Sequence, residues 1–173
     1  MLVQVPFTRA TSLAILAIGV ISGLIPALQG TLLPQLVKEG RLTLAELGQV
    51  AMAEAVGTLL AVSVANAVFK PERLRFHVVG TALIGLALDL ATPHLTGLAI
   101  PAARFGHGVC AGILLWIWVG FLLRADNPGR WVAIYVTTQA ATLLVLSSWF
   151  SASVLPTGGA AAGFAILAGL YGL

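Results

Sequence analysis

The sequence predicts an all-α membrane protein, a single bundle of six transmembrane helices over residues 1–173. Three observations predict it. Hydrophobic residues make up 59% of the chain and charged residues only 9%, where a soluble domain carries about 25% charged residues. The mean hydropathy is +1.01. The apolar residues also fall into six long runs, separated by short polar or turn-rich breaks. A soluble fold could not cover such a surface, so the solvent for most of the chain is expected to be lipid.

The runs lie near residues 10–36, 44–68, 74–92, 97–123, 130–152 and 157–173. The first follows Arg9 and outlasts a signal-peptide core of about 7–15 residues, and no small-x-small cleavage site closes it. KEGRLT ends it and opens the second run. FKPERLR separates the second from the third, ATPHLTG the third from the fourth, RADNPGR the fourth from the fifth, and SVLPTGG the fifth from the sixth. Each break contains Gly, Pro or charge, the punctuation of helix ends. Helices are preferred over a barrel because the runs are continuously apolar, whereas barrel strands alternate over about 10 residues. Counted from Gly159, the sixth run offers about 22 Å of helix, short of a hydrocarbon core of about 30 Å. The chain is therefore expected to be a fragment of a longer protein.

Basic residues set the orientation. With the N-terminus in the cytoplasm, that side holds Arg9, Lys70, Arg73, Arg75, Arg124 and Arg130, and the opposite side holds Lys38 and Arg41. This bias places the chain in the cell (inner or plasma) membrane as a multi-pass protein with a cytoplasmic N-terminus. The net charge of +3 comes from scattered residues without interleaved aromatics, so no nucleic acid partner is expected. The single cysteine, Cys110, allows no internal disulfide and reads as a packing residue. No Cys/His cluster has zinc-ligand spacing, so no metal and no cofactor are expected.

Ionisable groups inside spans are costly and need partners or water. Measured from the outer face, Gln29 and Arg104 lie about 9–11 Å deep and Glu54 about 13–15 Å. The three share a layer if the first, second and fourth helices adjoin. His107 lies one turn below Arg104 on the same face. An Arg–Glu pair whose strength depends on protonation is the physical requirement of a proton-coupled switch. Each residue also has a plain reading. Arg104 can tie a helix to backbone carbonyls, Glu54 can be its structural partner, His107 can be a satisfied core histidine, and Gln29 can bond across helices. Asp89, close to the interface, reads as a solvated helix end. Gly19/Gly23, Gly108/Gly112 and Gly159/Gly163 have the small-xxx-small spacing that lets helix backbones approach. Thr137, Thr138, Gln139 and Thr142 form a polar stripe on the fifth run. Pro26-Ala-Leu-Gln29 and Pro101-Ala-Ala-Arg104 each open a three-helix unit with a polar side chain three residues after a proline, as in a 3+3 inverted repeat.

The stretch ARFGHGVCAG resembles the fourth-helix motif of major facilitator superfamily transporters, an Arg followed by R-x-x-x-G-x-x-x-G, with Arg104, Gly108 and Gly112 on the pattern. The loop after the second helix is similar to the family's G-x-x-x-D-[RK]-x-G-[RK]-[RK]. Here ANAVFKPERLR keeps Lys70 and Arg73 on basic positions, while Ala65, Phe69 and Glu72 replace the first glycine, the acid and the second glycine. The resemblance implies an N-terminal six-helix half that pairs with a second half. Substrate would lie between the halves near mid-membrane, and access would alternate by rocking. It implies that the first and fourth helices line the cavity and that Lys70 and Arg73 belong to a gating loop. The family's acid on the first helix is absent, which leaves Glu54 as the partner of Arg104.

The expected function is secondary transport of a small solute, with Gln29, Glu54, Arg104 and His107 as substrate or coupling residues and lipid as the surroundings. The transport path requires a missing C-terminal half or a second copy. The alternative is a truncated or assembly protein without transport activity of its own. No enzyme activity and no catalytic residue are expected. The G-x-S-x-G of an intramembrane serine protease is absent, as is a G-x-x-x-x-G-K-[ST] phosphate loop.

Overall fold

The computed structural model describes residues 8–68 and 74–172. It contains α1 (Arg9–Lys38), α2 (Leu44–Val68), α3 (Leu74–Ala91), α4 (Ala99–Leu122), α5 (Pro128–Trp149) and α6 (Leu155–Gly169). Five stretches among the described residues are long and apolar enough to cross a membrane: Arg9–Lys38, Leu44–Ala65, Leu74–His94, Ala99–Leu122 and Pro128–Gly172. The chain is thus a helical, multi-pass membrane protein.

The expected sixth span at 157–173 is not a separate one. A π-helical turn, Phe150–Val154, carries α5 directly into α6, and together with the closing 3₁₀ turn they form one run of 45 residues. Within SVLPTGG the proline does not end the helix, because Pro156 sits in the first turn of α6, where a missing N–H breaks no bond. The backbone break comes later, at Gly159, whose φ of +63° and ψ of −163° are open to glycine alone. Glu39 at the end of α1 covers this break, its Oε1 accepting from Ala160 N at 2.7 Å.

The other boundaries follow local chemistry. Thr8 caps α1 by accepting from Thr11 N. Thr43 and Glu46 form a reciprocal capping box at the start of α2, with Thr43 N donating to Glu46 Oε2 at 2.8 Å and Glu46 N to Thr43 Oγ1 at 3.2 Å. Asn127 caps α5 ahead of Pro128. The chain reverses between α1 and α2 at Gly40, with φ of +71°.

The fourth helix is the hub. Its most apolar window is 56% buried, against 22% for α2 and 17% for α3, so the neighbours present most of their surface outward. That surface is apolar: Leu59, Phe76, Leu83 and Leu144 are all more than 60% exposed. The ionic residues Glu54, Asp89, Arg104 and His107 are buried instead. Large apolar side chains outside and charges inside is the arrangement a bilayer selects.

Helices α2 and α4 meet almost backbone to backbone. A Cβ on Gly57 would collide with Phe105 O, one on Gly108 with Glu54 O, and one on Gly112 would stand 2.5 Å from Thr58 O. The hydroxyl of Thr58 stitches the pair, lying 3.1 Å from Glu54 O and 3.1 Å from Gly108 O. Gly108/Gly112 is therefore a helix-packing motif, as its spacing predicts. Gly19 admits the indole of Trp118, which stacks on Phe121 and leans on Tyr135. Gly23 faces Gln139 of the α5 polar stripe.

Candidate functional site

The glycine seam brings Glu54 of α2 level with the first turns of α4, where Arg104 and His107 lie on one face. Arg104 is 0% exposed and its guanidinium is shared between two acids. Nε and Nη2 donate to Glu54 Oε2, and Nη2 to Oε1, all at 3.3 Å. On the other side Nη1 donates to Asp89 Oδ1 of α3 at 2.6 Å. The ring of Phe164, from α6, stands 5.7 Å from the guanidinium carbon, within cation–π range.

His107 fills the angle between the acids. Its Nδ1 lies 2.7 Å from Arg104 Nη2 and 2.9 Å from Glu54 Oε1. Its Nε2 lies 2.9 Å from the hydroxyl of Tyr171 and 3.5 Å from Asp89 Oδ2. The last distance is too long for a good hydrogen bond, and Asp89 Oδ2 has no partner among the described residues. Tyr171 reaches the site because Gly85 of α3 leaves room for its ring, where a Cβ would strike it.

With His107 neutral, two carboxylates face one guanidinium and the buried group carries one net negative charge. One additional proton makes it neutral. Charge imbalance away from water is unfavourable. Arg104 occupies the space between the acids, and among the described residues no group of His, Cys, Asp and Glu is placed to hold a metal ion.

Glu54 is also the member that faces open space. It lines a cavity of about 220 Å³ between α1 and α2, with Pro26, Gln29, Leu33 and Thr58 on the walls. A second cavity of about 600 Å³ runs along the outer part of α1 past Gln35 and Lys38 to Ser151. Gly30 and Pro34 border both cavities.

Of the expected layer of Gln29, Glu54 and Arg104, the structure joins Glu54 and Arg104, and His107 from the next turn of α4 meets both. Gln29 is buried on the cavity wall, and its Nε2 has no hydrogen-bond partner among the described residues. Lys70 and Arg73 lie outside the described residues. Asp89 corrects the expectation of a solvated helix end: it is 0% exposed and makes the shortest ion pair of the site. Its helix packs beside α4 and Arg104 has a free Nη1 to satisfy. A signal was present, since the buried residues of α3, Thr81, Gly85 and Asp89, are spaced four apart along one face. Tyr171, in the expected last span, carried no such signal.

Comparison with protein-family models, with curated proteins and with solved structures finds no match for this chain; what stands is a helical membrane protein with, among the described residues, five candidate spans and a buried ionic cluster.

Proposed function

We propose that this chain is the N-terminal half of a major-facilitator-type secondary transporter, a 3+3 helical bundle with its N-terminus in the cytoplasm, and that it couples movement of a small solute to a proton. In this reading α6, kinked at Gly159, is the sixth helix, and a second half completes the path. The observation that carries the proposal is the Glu54–Arg104–Asp89–His107 cluster, buried and bordered at Glu54 by a cavity. Ionisable groups kept inside a membrane mark solute or ion pathways. This cluster changes from charged to neutral with a single proton, which is how a proton can bias two conformations. Binding of solute in the cavity next to Glu54 would then respond to the same proton.

The test uses membrane vesicles from cells producing the protein, loaded with a pH-sensitive dye. Amino acids, sugars, organic amines and carboxylates are added one at a time. One class should move protons, and Glu54→Gln should abolish that movement at equal levels of folded protein. Undiminished coupling in Glu54→Gln removes Glu54 from the mechanism. Proton movement with no solute of any class sinks the transport reading and leaves an assembly role.

A further inference from the structure

Among the groups at the cluster, Tyr171 has no part in the charge count, yet its hydroxyl lies 2.9 Å from His107 Nε2. We propose that His107 is a two-sided proton relay between Glu54 and Asp89, and that Tyr171 is the positioning residue that lets its imidazole hold the proton on either nitrogen.

The argument is one of donors and acceptors. Arg104 Nη2 only donates, and an ionised carboxylate only accepts. Nδ1 touches both, at 2.7 Å and 2.9 Å. When Nδ1 is bare it accepts from Arg104, and Glu54 Oε1 is a compatible neighbour only if it carries a proton. When Nδ1 is protonated it donates to ionised Glu54, and Arg104 turns wholly to the carboxylate oxygens. Glu54 and Nδ1 therefore share one proton.

The other nitrogen completes the transfer. In the neutral cluster, the O–H bond of Glu54 breaks as Nδ1–H forms, and Nε2–H breaks as Oδ2–H forms on Asp89. Atoms and charge balance: a proton leaves Glu54, a different proton arrives on Asp89, and the imidazole changes tautomer. Asp89 Oδ2 is the orphan acceptor on that side, 3.5 Å from Nε2. The Tyr171 hydroxyl serves both states by rotation, accepting from Nε2–H before the transfer and donating to bare Nε2 after it. Phenylalanine serves neither: before the transfer Nε2–H would still face ionised Asp89 Oδ2, a charge-assisted contact, while after it bare Nε2 would face only the neutral Oδ2–H, so Nε2–H is favoured.

The groups around the imidazole are few. Helix α2 contributes Glu54, α3 contributes Asp89, α4 contributes Arg104, and the closing 3₁₀ turn contributes Tyr171. On α1, Arg9 and Lys38 stand at the ends, with Glu39 just beyond; on α5, Arg130 stands in the first turn and Tyr135 packs against Trp118.

The relay rests on reading the cluster as a proton site, but its test needs neither solute nor proton gradient, so the two can fail separately. Histidine is labelled with ¹⁵N in the full chain in lipid nanodiscs, with His77→Asn and His94→Asn leaving one signal source. Wild type should show both neutral tautomers. Tyr171→Phe should lower the Nδ1–H population about five-fold, the effect of one net hydrogen bond. Unchanged tautomer populations in Tyr171→Phe overturn the proposal. A second measurement covers a variant that does not fold. In the otherwise unchanged chain, ¹³Cζ of Tyr171 should show a direct dipolar contact to ¹⁵Nε2 of His107, and absence of that contact overturns the proposal as well.

Discussion

Charge balance in the cluster predicts an asymmetry among three substitutions. Arg104 lies 2.6 Å from Asp89 and 3.3 Å from Glu54, with 0% of its own side chain exposed. At an effective dielectric constant of 20, those separations give gross attractions of about 6 and 5 kcal/mol, largely offset by the desolvation of the three charges. Arg104→Gln leaves two buried carboxylates facing each other without a counter-charge, so it should cost about 3–5 kcal/mol. Glu54→Gln or Asp89→Asn removes one acid from a group that already has one too many, and the remainder is balanced. Either should cost only about 1 kcal/mol, close to the roughly 0.6 kcal/mol of an ordinary interhelical hydrogen bond in a membrane protein. The double variant Arg104→Gln/Asp89→Asn should be more stable than Arg104→Gln alone, with a coupling energy of about 1–3 kcal/mol. Reversible SDS unfolding, followed through tryptophan fluorescence, measures all four. The reasoning is refuted if Arg104→Gln costs less than about 1 kcal/mol, or if either carboxamide costs as much as Arg104→Gln.

Three further outcomes follow from the packing. Gly108→Ala should cost about 1–3 kcal/mol by overpacking, and less in a Glu54→Gln background, because the added methyl pushes the residue whose ion pair is already gone; the same unfolding assay reads the difference. Gln29→Leu should leave stability unchanged or slightly raised, since the buried Nε2 has no partner to lose; a loss above about 1 kcal/mol would reveal a bond from this amide. Leu83→Lys, on an exposed apolar position of α3, should raise the free energy of membrane insertion by about 3 kcal/mol, measured by glycosylation mapping of span insertion, and equal insertion of the variant would show that this face meets no lipid.

What could be read from the sequence divides along the physics of each signal. Span positions were legible because hydropathy is summed over about 20 residues and survives local irregularity. The predicted 44–68 matches Leu44–Val68, and the predicted 10–36 differs from Arg9–Lys38 by one and two residues. The break between the fifth and sixth runs falls on Gly159, the last residue of SVLPTGG, and not on Pro156, because proline is a terminator only when its nitrogen would have donated, and Pro156 sits where it would not. Arg104, Glu54 and His107 were found by depth, a coordinate along the helix axis. Depth contains no azimuth, and so it missed Asp89. The stripe Thr81, Gly85, Asp89 supplies that azimuth. Tyr171 was beyond reach, because its meeting with His107 depends on the kink at Gly159 and on the notch at Gly85, two features far apart in the chain.

The spacing between Arg104 and Gly108 links packing to chemistry at a single contact. Gly108 touches the carbonyl of Glu54 itself, not a neighbouring turn of α2, so the close approach that excludes water also sets how far the Glu54 carboxylate stands from Arg104. A bulkier residue four positions after the arginine would separate the helices, admit water and lengthen the 3.3 Å contacts together. Water would screen the attraction just as the pair came apart, and the cluster would lose both its geometry and the low dielectric that makes its protonation consequential. Gly112, one turn on, bears on Thr58 instead, and Thr58 anchors the seam by bonding to Glu54 O and Gly108 O. The two glycines therefore differ in kind: the second holds α2 against α4, and the first places the acid.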